Sequence, residues 1–444
     1  MSQLPRLAIG SAHEGVDHQP LCWALLALLS ARGQQLQHFF SVASFPRLDG
    51  ARAATGASSR HLDSWLMTPE ACREAFVHGA SRATLAIVEG RYAQSYEQPW
   101  RGGLLDDLCD WLDLPRIAVI DASQIGDCRL PERPRQADAL LLDKLQSPQQ
   151  FASLQTTLES LWGIPVLGGL DTLKSIRRTL ASLPRGVAPS KDLCQDLAVS
   201  LNRYLRLDRL KQLSARHSFP QVRPFVFRAD DSCHASRMNI AVAYDDAFRC
   251  YFPDALELLE LQGATVVDFS PLRDEALPPD TDLVYLGCGH PERFASALAE
   301  NHCMRFSLRE HLCAGRRIYA EGGGLAYLCE HLVTPAGEHV PMVGVFPATA
   351  TANPHPRPPV PTTITLSQRC WLGRPGTKVR GYLSSNWNIE PSGKLEGLAS
   401  EPKHQFDLLG RYSAVASRMH VNFVPQPEIL QSFLRPAPLP LTSC

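Results

Sequence analysis

The chain has 444 residues, of which 44 % are hydrophobic and 20 % are charged, and its 44 basic and 45 acidic side chains leave a net charge of −1. This length favours two domains, because a single core rarely grows beyond about 250–300 residues. The balanced charge gives no electrostatic support for binding nucleic acid or a membrane surface, and no run approaches the roughly 20 apolar residues of a membrane span.

Apolar runs alternate with helical patterns through the N-terminal half. The first strand is predicted at Arg6–Gly10, and Pro20 then opens an apolar helix that ends at Gly33. Leu104–Leu112 has the pattern of a further helix. Alternation of strands and helices predicts a parallel sheet covered on both faces. Further buried strands are predicted at Leu85–Glu89, Ile117–Asp121, Ala139–Leu142 and Val166–Leu170.

The alternation stops and then restarts near the middle of the chain. The segment 216–237 contains Pro220, Pro224 and polar residues, and we interpret it as a linker between two α/β domains. After it, a strand is predicted at Asn239–Ala243 and a helix at Pro253–Gln262. Further strands are predicted at Thr265–Phe269, Leu283–Leu286 and Ile318–Ala320.

A glycine turn follows the last of these strands. The chain reads Glu321-Gly322-Gly323-Gly324 before an apolar segment, which is typical of a strand, a tight turn and a helix. Such an elbow holds a nucleophile at a helix N-terminus, where backbone N–H groups favour a thiolate and an oxyanion. The surroundings resemble the glutaminase elbow of class I glutamine amidotransferases, which usually reads Ala-Glu-Cys-Gly-Gly. Gly322 stands at the position of the cysteine and has no side chain to attack a substrate.

Several further motifs extend the resemblance over nearly the whole chain, although it thins between about Gln124 and Arg237. The motifs are Ala53–Gly56, Leu62–Met67, Val88–Gly90, Tyr251–Glu257, Phe269–Glu275 and Tyr285–Glu292. In this order and spacing they resemble the cobyrinate a,c-diamide synthase family.

The resemblance implies a fold and an activity. It implies a P-loop-like parallel sheet over residues 1–215, the linker 216–237, a flavodoxin-like glutamine amidotransferase-like domain over 238–434, and a loosely attached tail over 435–444. In the family, the first domain uses ATP and Mg²⁺ to phosphorylate a tetrapyrrole carboxylate. The second domain hydrolyses glutamine, and the ammonia displaces the phosphate to form an amide.

The nucleotide site is expected to be degenerate. A P-loop needs a lysine for the β- and γ-phosphates and a Ser or Thr hydroxyl for Mg²⁺. With Gly15 as the reference, His18 holds the lysine position and Gln19 the hydroxyl position, while Glu14 and Asp17 bring carboxylates that oppose anion binding. We therefore expect no cofactor. The residues at the family's nucleotide positions are Gly10, Gly15, His18, Gln19 and Glu89.

Glu89 leaves one alternative open at this site. It ends a predicted buried strand and could meet a metal ion, but a single carboxylate is more often an ordinary polar residue at a strand end. We predict no metal. Residues that could bind a flat, carboxylate-rich macrocycle through bidentate pairing and stacking are Arg60, Arg91, Tyr92 and Arg101, and an ordinary polar surface is the alternative.

The glutaminase site keeps one family position. His420 stands at the position of the proton shuttle, in the motif Ala416–Phe423, although a structural histidine is the alternative. Cys288 is a candidate for a relocated nucleophile, but it lies in a glycine-flanked turn outside the elbow, and a buried inert thiol is the default for such a cysteine. The region expected to form the oxyanion hole comprises Gly287, Cys288, Gly289 and Gly323.

Losses at both sites predict a family member without catalysis, which serves as a binding or partner subunit in tetrapyrrole metabolism. We expect a homo- or hetero-oligomer, with an intact relative as candidate partner and a tetrapyrrole as candidate ligand. An active amidoligase with relocated groups, and a carrier or sensor of a tetrapyrrole or small acid, remain alternatives. The 13 scattered cysteines form no CxxC pair, and without an apolar signal core we expect reduced thiols in the cytoplasm.

Overall fold

The computed structural model describes residues 4–13, 15–93, 103–126, 130–217, 222–228 and 238–435. The chain forms two compact units: residues 1–42 and 46–225 make the N-terminal unit, and residues 43–45 and 226–444 make the C-terminal unit. The boundary between Phe225 and Val226 falls inside the segment predicted as a linker. Glu14, Arg101 and the tail from residue 436 onward lie outside the described residues.

The N-terminal unit is built on one parallel sheet. Its strands are β1 (Arg6–Ser11), β2 (Leu36–Phe40), β3 (Arg60–His61), β4 (Leu85–Arg91), β5 (Arg116–Asp121), β6 (Ala139–Leu145) and β7 (Val166–Asp171). Within the described residues these strands are ordered β3-β2-β4-β1-β5-β6-β7. Its helices are α1 (Gln19–Ala31), α2 (Gly50–Thr55), α3 (Pro69–Gly79), α4 (Leu105–Leu112), α5 (Pro148–Trp162), α6 (Lys174–Ser182), α7 (Lys191–Asn202) and α8 (Leu207–Ser214).

Helix α1 supplies much of the core of this unit. Pro20 lies in its first turn, where a missing N–H costs nothing, and every residue from Pro20 to Leu29 is buried. The helix packs against α2 and α7, which explains why its sequence is apolar on all sides. The predicted strands and the two predicted helices are confirmed, with ends displaced by a few residues; β4, for example, continues to Arg91.

The C-terminal unit contains several sheets. Its strands are β8 (Asn239–Ala243), β9 (Phe248–Cys250), β10 (Thr265–Phe269), β11 (Leu283–Leu286), β12 (Cys288–Gly289), β13 (Arg317–Glu321), β14 (Cys329–Val333), β15 (His339–Pro341), β16 (Phe346–Ala352), β17 (Val360–Thr365), β18 (Lys378–Leu383), β19 (Trp387–Pro391), β20 (Glu396–Gly397), β21 (Leu408–Arg411), β22 (Ala414–Ser417) and β23 (Met419–His420). Its helices are α9 (Pro253–Leu261), α10 (Ala295–Glu300), α11 (His302–Cys313), α12 (Gly323–Leu328) and α13 (Pro427–Leu434).

The main sheet of the C-terminal unit has the order β10-β8-β11-β13-β22-β21-β20 within the described residues. Strands β10, β8, β11, β13 and β22 pair in parallel. Strand β13 is central, and its last residue, Glu321, lies opposite Ser417 of β22. The turn after β13 therefore lies at the carboxyl edge of the parallel strands, where open α/β sheets place their sites. None of the helices in the described ranges has the length and apolar character needed to cross a membrane.

Candidate functional sites

The predicted elbow is present between β13 and α12. Gly322 has φ +49° and ψ −105°, a conformation that residues with a β-carbon rarely adopt. Its backbone N–H donates to the Ser417 carbonyl at 2.8 Å. A β-carbon on Gly324 would lie 2.3 Å from the Leu286 carbonyl oxygen, so close approach of two backbones requires glycine there. The strand, tight turn and short helix form as predicted, without a nucleophilic side chain at Gly322.

The thiol of Cys288 lies beside this elbow. Its sulfur is 3.1 Å from the position that a β-carbon on Gly322 would take, and 3.7 Å from Oε2 of Glu321, to which it donates a hydrogen bond. Burial and the neighbouring Glu321 carboxylate raise the pKa of this thiol well above its usual value. Cys288 is therefore a protonated thiol at neutral pH, whereas a nucleophilic cysteine needs a lowered pKa.

Glu321 is a buried carboxyl group directly before the elbow. Its Oε1 accepts from the Tyr285 hydroxyl at 3.4 Å, and its Oε2 accepts from the Val421 backbone N–H at 3.3 Å. Burial raises the pKa of Glu321 to about 8, although these hydrogen bonds act in the opposite direction. The carboxyl group is thus largely protonated at pH 7, and it can both donate and accept hydrogen bonds.

His420 lies on β23 and is 3 % exposed. It precedes Val421, whose N–H binds Glu321, so the chain carries the imidazole to the region of the elbow. Its ring packs against Phe45, with centroids 5.1 Å apart, and among the described residues its Nδ1 has no hydrogen-bonding partner. Burial, together with His290, lowers the pKa of His420 to about 4. The imidazole is therefore neutral at pH 7.

The residues around the expected oxyanion hole are held by Tyr251. The Gly287 N–H donates to the Tyr251 hydroxyl at 2.9 Å, and that hydroxyl donates to the Ala243 carbonyl. A β-carbon on Gly323 would lie 2.9 Å from the Gly289 carbonyl oxygen. The structure thus brings the predicted Gly287, Cys288, Gly289 and Gly323 together around the elbow.

The loop after β1 in the N-terminal unit holds the family's nucleotide positions. A β-carbon on Gly10 would lie 2.6 Å from the Gly90 carbonyl oxygen, and Gly15 has φ +74°. Gln19 begins α1, and its backbone N–H donates to Oδ1 of Asp17 at 3.1 Å. The side chain of Asp17 therefore occupies a backbone donor at the helix N-terminus, where a P-loop would place a phosphate oxygen.

His18 and Glu89 form part of a buried polar cluster below that loop. His18 Nε2 lies 3.4 Å from Glu89 Oε1, and His38 Nε2 lies 2.9 Å from Glu89 Oε2. Burial alone would raise the pKa of Glu89, but the hydrogen bonds from the two histidines outweigh it and hold this pKa well below its usual value. His38 was missed by the sequence analysis, because its contact with Glu89 depends on the pairing of β2 with β4.

Three of the four residues proposed to bind a macrocycle, namely Arg60, Arg91 and Tyr92, lie within the described ranges, and they differ in exposure. Tyr92 is 7 % exposed and its hydroxyl donates to the carbonyls of Ala8 and Ile117, so it supports the sheet and does not line a cleft. These contacts do not favour the predicted role of Tyr92 in binding a macrocycle, because its hydroxyl finds backbone acceptors inside the unit. Arg91 is exposed at the end of β4, and Arg60 is half-buried on β3.

The chain is similar to known proteins along most of its length. The model of the CobB/CobQ-like glutamine amidotransferase domain matches residues 239–382. The cobyrinate a,c-diamide synthase of Syntrophotalea carbinolica is 30 % identical over 77 % of this chain and 77 % of its own. Those of Dehalococcoides mccartyi strain CBDB1 and Salmonella typhimurium are 26 % and 27 % identical, over 97 % and 93 % of this chain and 98 % and 94 % of their own. The chain belongs to the cobyrinate a,c-diamide synthase family.

Proposed function

We propose that this chain is a non-catalytic member of its family, which acts as a binding or partner subunit linked to tetrapyrrole metabolism. The observation that carries the proposal is the elbow itself. Gly322 stands where the family places its nucleophile, and the space beside it holds the protonated thiol of Cys288. Glutamine hydrolysis by this family requires a thiolate at that point, because the attacking sulfur must lie within about 3–3.5 Å of the amide carbon.

The groups around the elbow support the same conclusion. A histidine shuttle activates a cysteine when it can take the thiol proton. The Cys288 thiol instead donates to Glu321, and burial disfavours the protonated form of His420. The Cys288 thiol and the His420 imidazole are both neutral, and Glu321 is protonated. Proton transfer from the thiol to the imidazole is therefore not favoured.

The nucleotide positions in the N-terminal unit point in the same direction. His18, which replaces the lysine, turns towards the buried carboxylate of Glu89. Asp17 takes the Gln19 N–H that would otherwise bind a phosphate oxygen. A triphosphate would have to displace both contacts, and its negative charge would meet the Asp17 carboxylate. We infer that neither half-reaction of the family proceeds on this chain.

With both half-reactions set aside, binding is the function that the folded chain can still perform. We propose that the chain associates with itself or with an intact relative, and that a tetrapyrrole carboxylate is its ligand. Static and dynamic light scattering of the purified chain test the association. Titration with sirohydrochlorin, sirohaem and cobyrinate, followed through the visible absorption bands, tests the ligand. The binding role would be contradicted if the chain is a monomer, if none of these spectra changes on titration, and if no relative is recovered with it from native extract.

The decisive experiment on catalysis measures glutamate release from glutamine. We expect no turnover by the wild-type chain. The position of the Cys288 sulfur favours one alternative, a relocated nucleophile, and the Cys288→Ser variant separates the two. Turnover by the wild type that is lost in Cys288→Ser and kept in Cys329→Ser, a matched buried cysteine, would overturn the proposal in favour of an active glutaminase.

A further inference from the structure

A buried set of nitrogen, oxygen and sulfur ligands lies in the N-terminal unit, next to the degenerate nucleotide loop. We infer that Cys22, His38 and Glu89 form a binding site for a divalent transition metal of the Zn²⁺ type. One potential ligand atom from each residue lies within 4.8 Å of the other two. This inference goes beyond the non-catalytic role proposed above and does not depend on it, and it revises the expectation from sequence that the chain binds no metal.

The distances suit a small tetrahedral ion. Zinc binds nitrogen and oxygen at about 2.0–2.2 Å and sulfur at about 2.3 Å, so neighbouring ligand atoms stand roughly 3.3–3.7 Å apart. His38 Nε2 and Glu89 Oε2 are 2.9 Å apart. The Cys22 sulfur lies within 4.8 Å of a ligand atom on each of these two residues. An ion between the three groups therefore requires the His38–Glu89 contact to open by a few tenths of an ångström, and the Cys22 sulfur to stand within about 3.7 Å of both partners.

The hydrogen bond at Nδ1 of His38 determines whether its Nε2 can bind a metal ion. The Ser59 hydroxyl donates to Asp49 Oδ1 at 3.4 Å, so its lone pairs accept from the Nδ1–H of His38 at 3.0 Å. A neutral imidazole protonated at Nδ1 presents a bare lone pair at Nε2, which here faces the Glu89 carboxylate. Without an ion, a proton between Nε2 and the Glu89 carboxylate makes the 2.9 Å contact a hydrogen bond, and a metal ion would take the place of that proton. A hydrogen bond from the second ring nitrogen to a nearby acceptor is the usual support of a metal-binding histidine.

His18 completes the support of the carboxylate. Its Nε2 lies 3.4 Å from Glu89 Oε1, and its Nδ1 lies 3.3 Å from the Ser11 hydroxyl. If Glu89 binds the ion through Oε2, His18 holds the other oxygen and fixes the orientation of the carboxylate. Hydrogen bonds of this kind orient metal-bound carboxylates in proteins.

Charge and ligand type select the kind of ion. Binding converts the Cys22 thiol into a metal-bound thiolate and releases its proton to solvent, so the 2+ charge is balanced by one thiolate and one carboxylate. A neutral assembly suits side chains that are no more than 2 % exposed, namely Cys22, His38 and Glu89. Sulfur and imidazole ligands favour Zn²⁺ or Co²⁺, whereas Mg²⁺ prefers oxygen ligands. The site therefore differs in chemistry from the magnesium site that the family's use of ATP implies.

Cobalt substitution tests the site on the full-length chain. The protein is stripped with a chelator, shown to be folded by circular dichroism, and titrated with Co²⁺. We expect one equivalent to produce a thiolate-to-cobalt charge-transfer band and the intense visible bands of cobalt with a low coordination number, and one equivalent of Zn²⁺ to remove both. A wild-type chain that gives neither band and retains no zinc after dialysis overturns the inference.

Variants decide which residues bind the ion. Cys22→Ser should abolish the charge-transfer band. Ser59→Ala should weaken Co²⁺ binding about 10- to 100-fold, because His38 Nδ1 loses its contact with the Ser59 hydroxyl. Cys72→Ser, which changes a buried cysteine of α3 outside the cluster, should bind as the wild type does. A charge-transfer band that persists in Cys22→Ser places the metal elsewhere and overturns the inference. If Cys22→Ser does not fold, an unchanged Co²⁺ affinity in Ser59→Ala overturns the inference instead.

Discussion

The Cys288 sulfur lies 3.1 Å from the point where a β-carbon on Gly322 would stand. That separation is shorter than ordinary contact between a carbon and a sulfur atom, so a side chain at the elbow and the thiol of Cys288 compete for the same space. The missing nucleophile and the cysteine on β12 are therefore physically coupled. A substitution that places a side chain at position 322 therefore displaces the Cys288 thiol.

We expect Gly322→Cys to give at most a slow glutaminase and to lower the free energy of unfolding by about 1–3 kcal/mol, because the new side chain meets Cys288 and φ is +49°. The double variant Gly322→Cys with Cys288→Gly removes the clash. It should recover part of the lost stability and release glutamate faster than the single variant. Unfolding midpoints and glutamate assays of both variants form a double-mutant cycle. Additive effects of the two substitutions would show that the sites are not coupled.

The glycine turn itself could be predicted from sequence, because a strand followed by Glu321-Gly322-Gly323-Gly324 has few other solutions. Apolar runs also predicted β8, β10 and β11 with their observed ends. Local patterns could not give the contact of His38 with Glu89, which depends on strand pairing, nor the inward direction of Tyr92. The position of the Cys288 sulfur likewise depends on how closely β12 approaches the elbow, which no spacing along the chain reports.

We expect no saturable binding of ATP–Mg²⁺ below about 1 mM, which corresponds to a binding free energy weaker than about −4 kcal/mol. The reason is that His18 is engaged with Glu89 and that Asp17 occupies the Gln19 N–H. Isothermal titration calorimetry measures this directly, with the Salmonella typhimurium relative as a comparison under the same conditions. A micromolar dissociation constant for this chain would contradict the interpretation that the loop after β1 does not bind nucleotide.

Tyr251 should contribute to stability through its hydroxyl. In Tyr251→Phe the Gly287 N–H loses its acceptor at 2.9 Å, and the Ala243 carbonyl loses a donor. Leaving buried polar groups unpaired costs about 1–3 kcal/mol. Tyr412→Phe is the matched control, since Tyr412 is 82 % exposed and its change should stay within about 0.5 kcal/mol. Urea unfolding of the three proteins checks this, and equal midpoints for the two variants would contradict it.

Glu321 should make the stability of the chain fall as the pH rises from about 4 to about 8. Burial raises its pKa in the folded chain to about 8, whereas an unfolded glutamate titrates near 4.3. Between these values the folded chain holds a proton that the unfolded chain has lost, so raising the pH favours unfolding. The contribution is fully present below pH 4.3, is lost through pH 8, and amounts to at most about 5 kcal/mol.

Glu321→Gln isolates this effect, because glutamine keeps an acceptor oxygen for the Val421 N–H and cannot ionise. Near pH 5.5 wild type and variant should differ little in the free energy of unfolding. Near pH 8.5 the variant should be the more stable of the two, because the wild type must then either bury a charge or hold a proton against the solution. Urea unfolding at the two pH values measures the difference, and Glu338→Gln, at an exposed position, should leave the pH dependence of the wild type unchanged. A variant that parallels the wild type at both pH values would show that the Glu321 carboxyl group is already ionised in the folded chain, as it would be beside an imidazolium of His420.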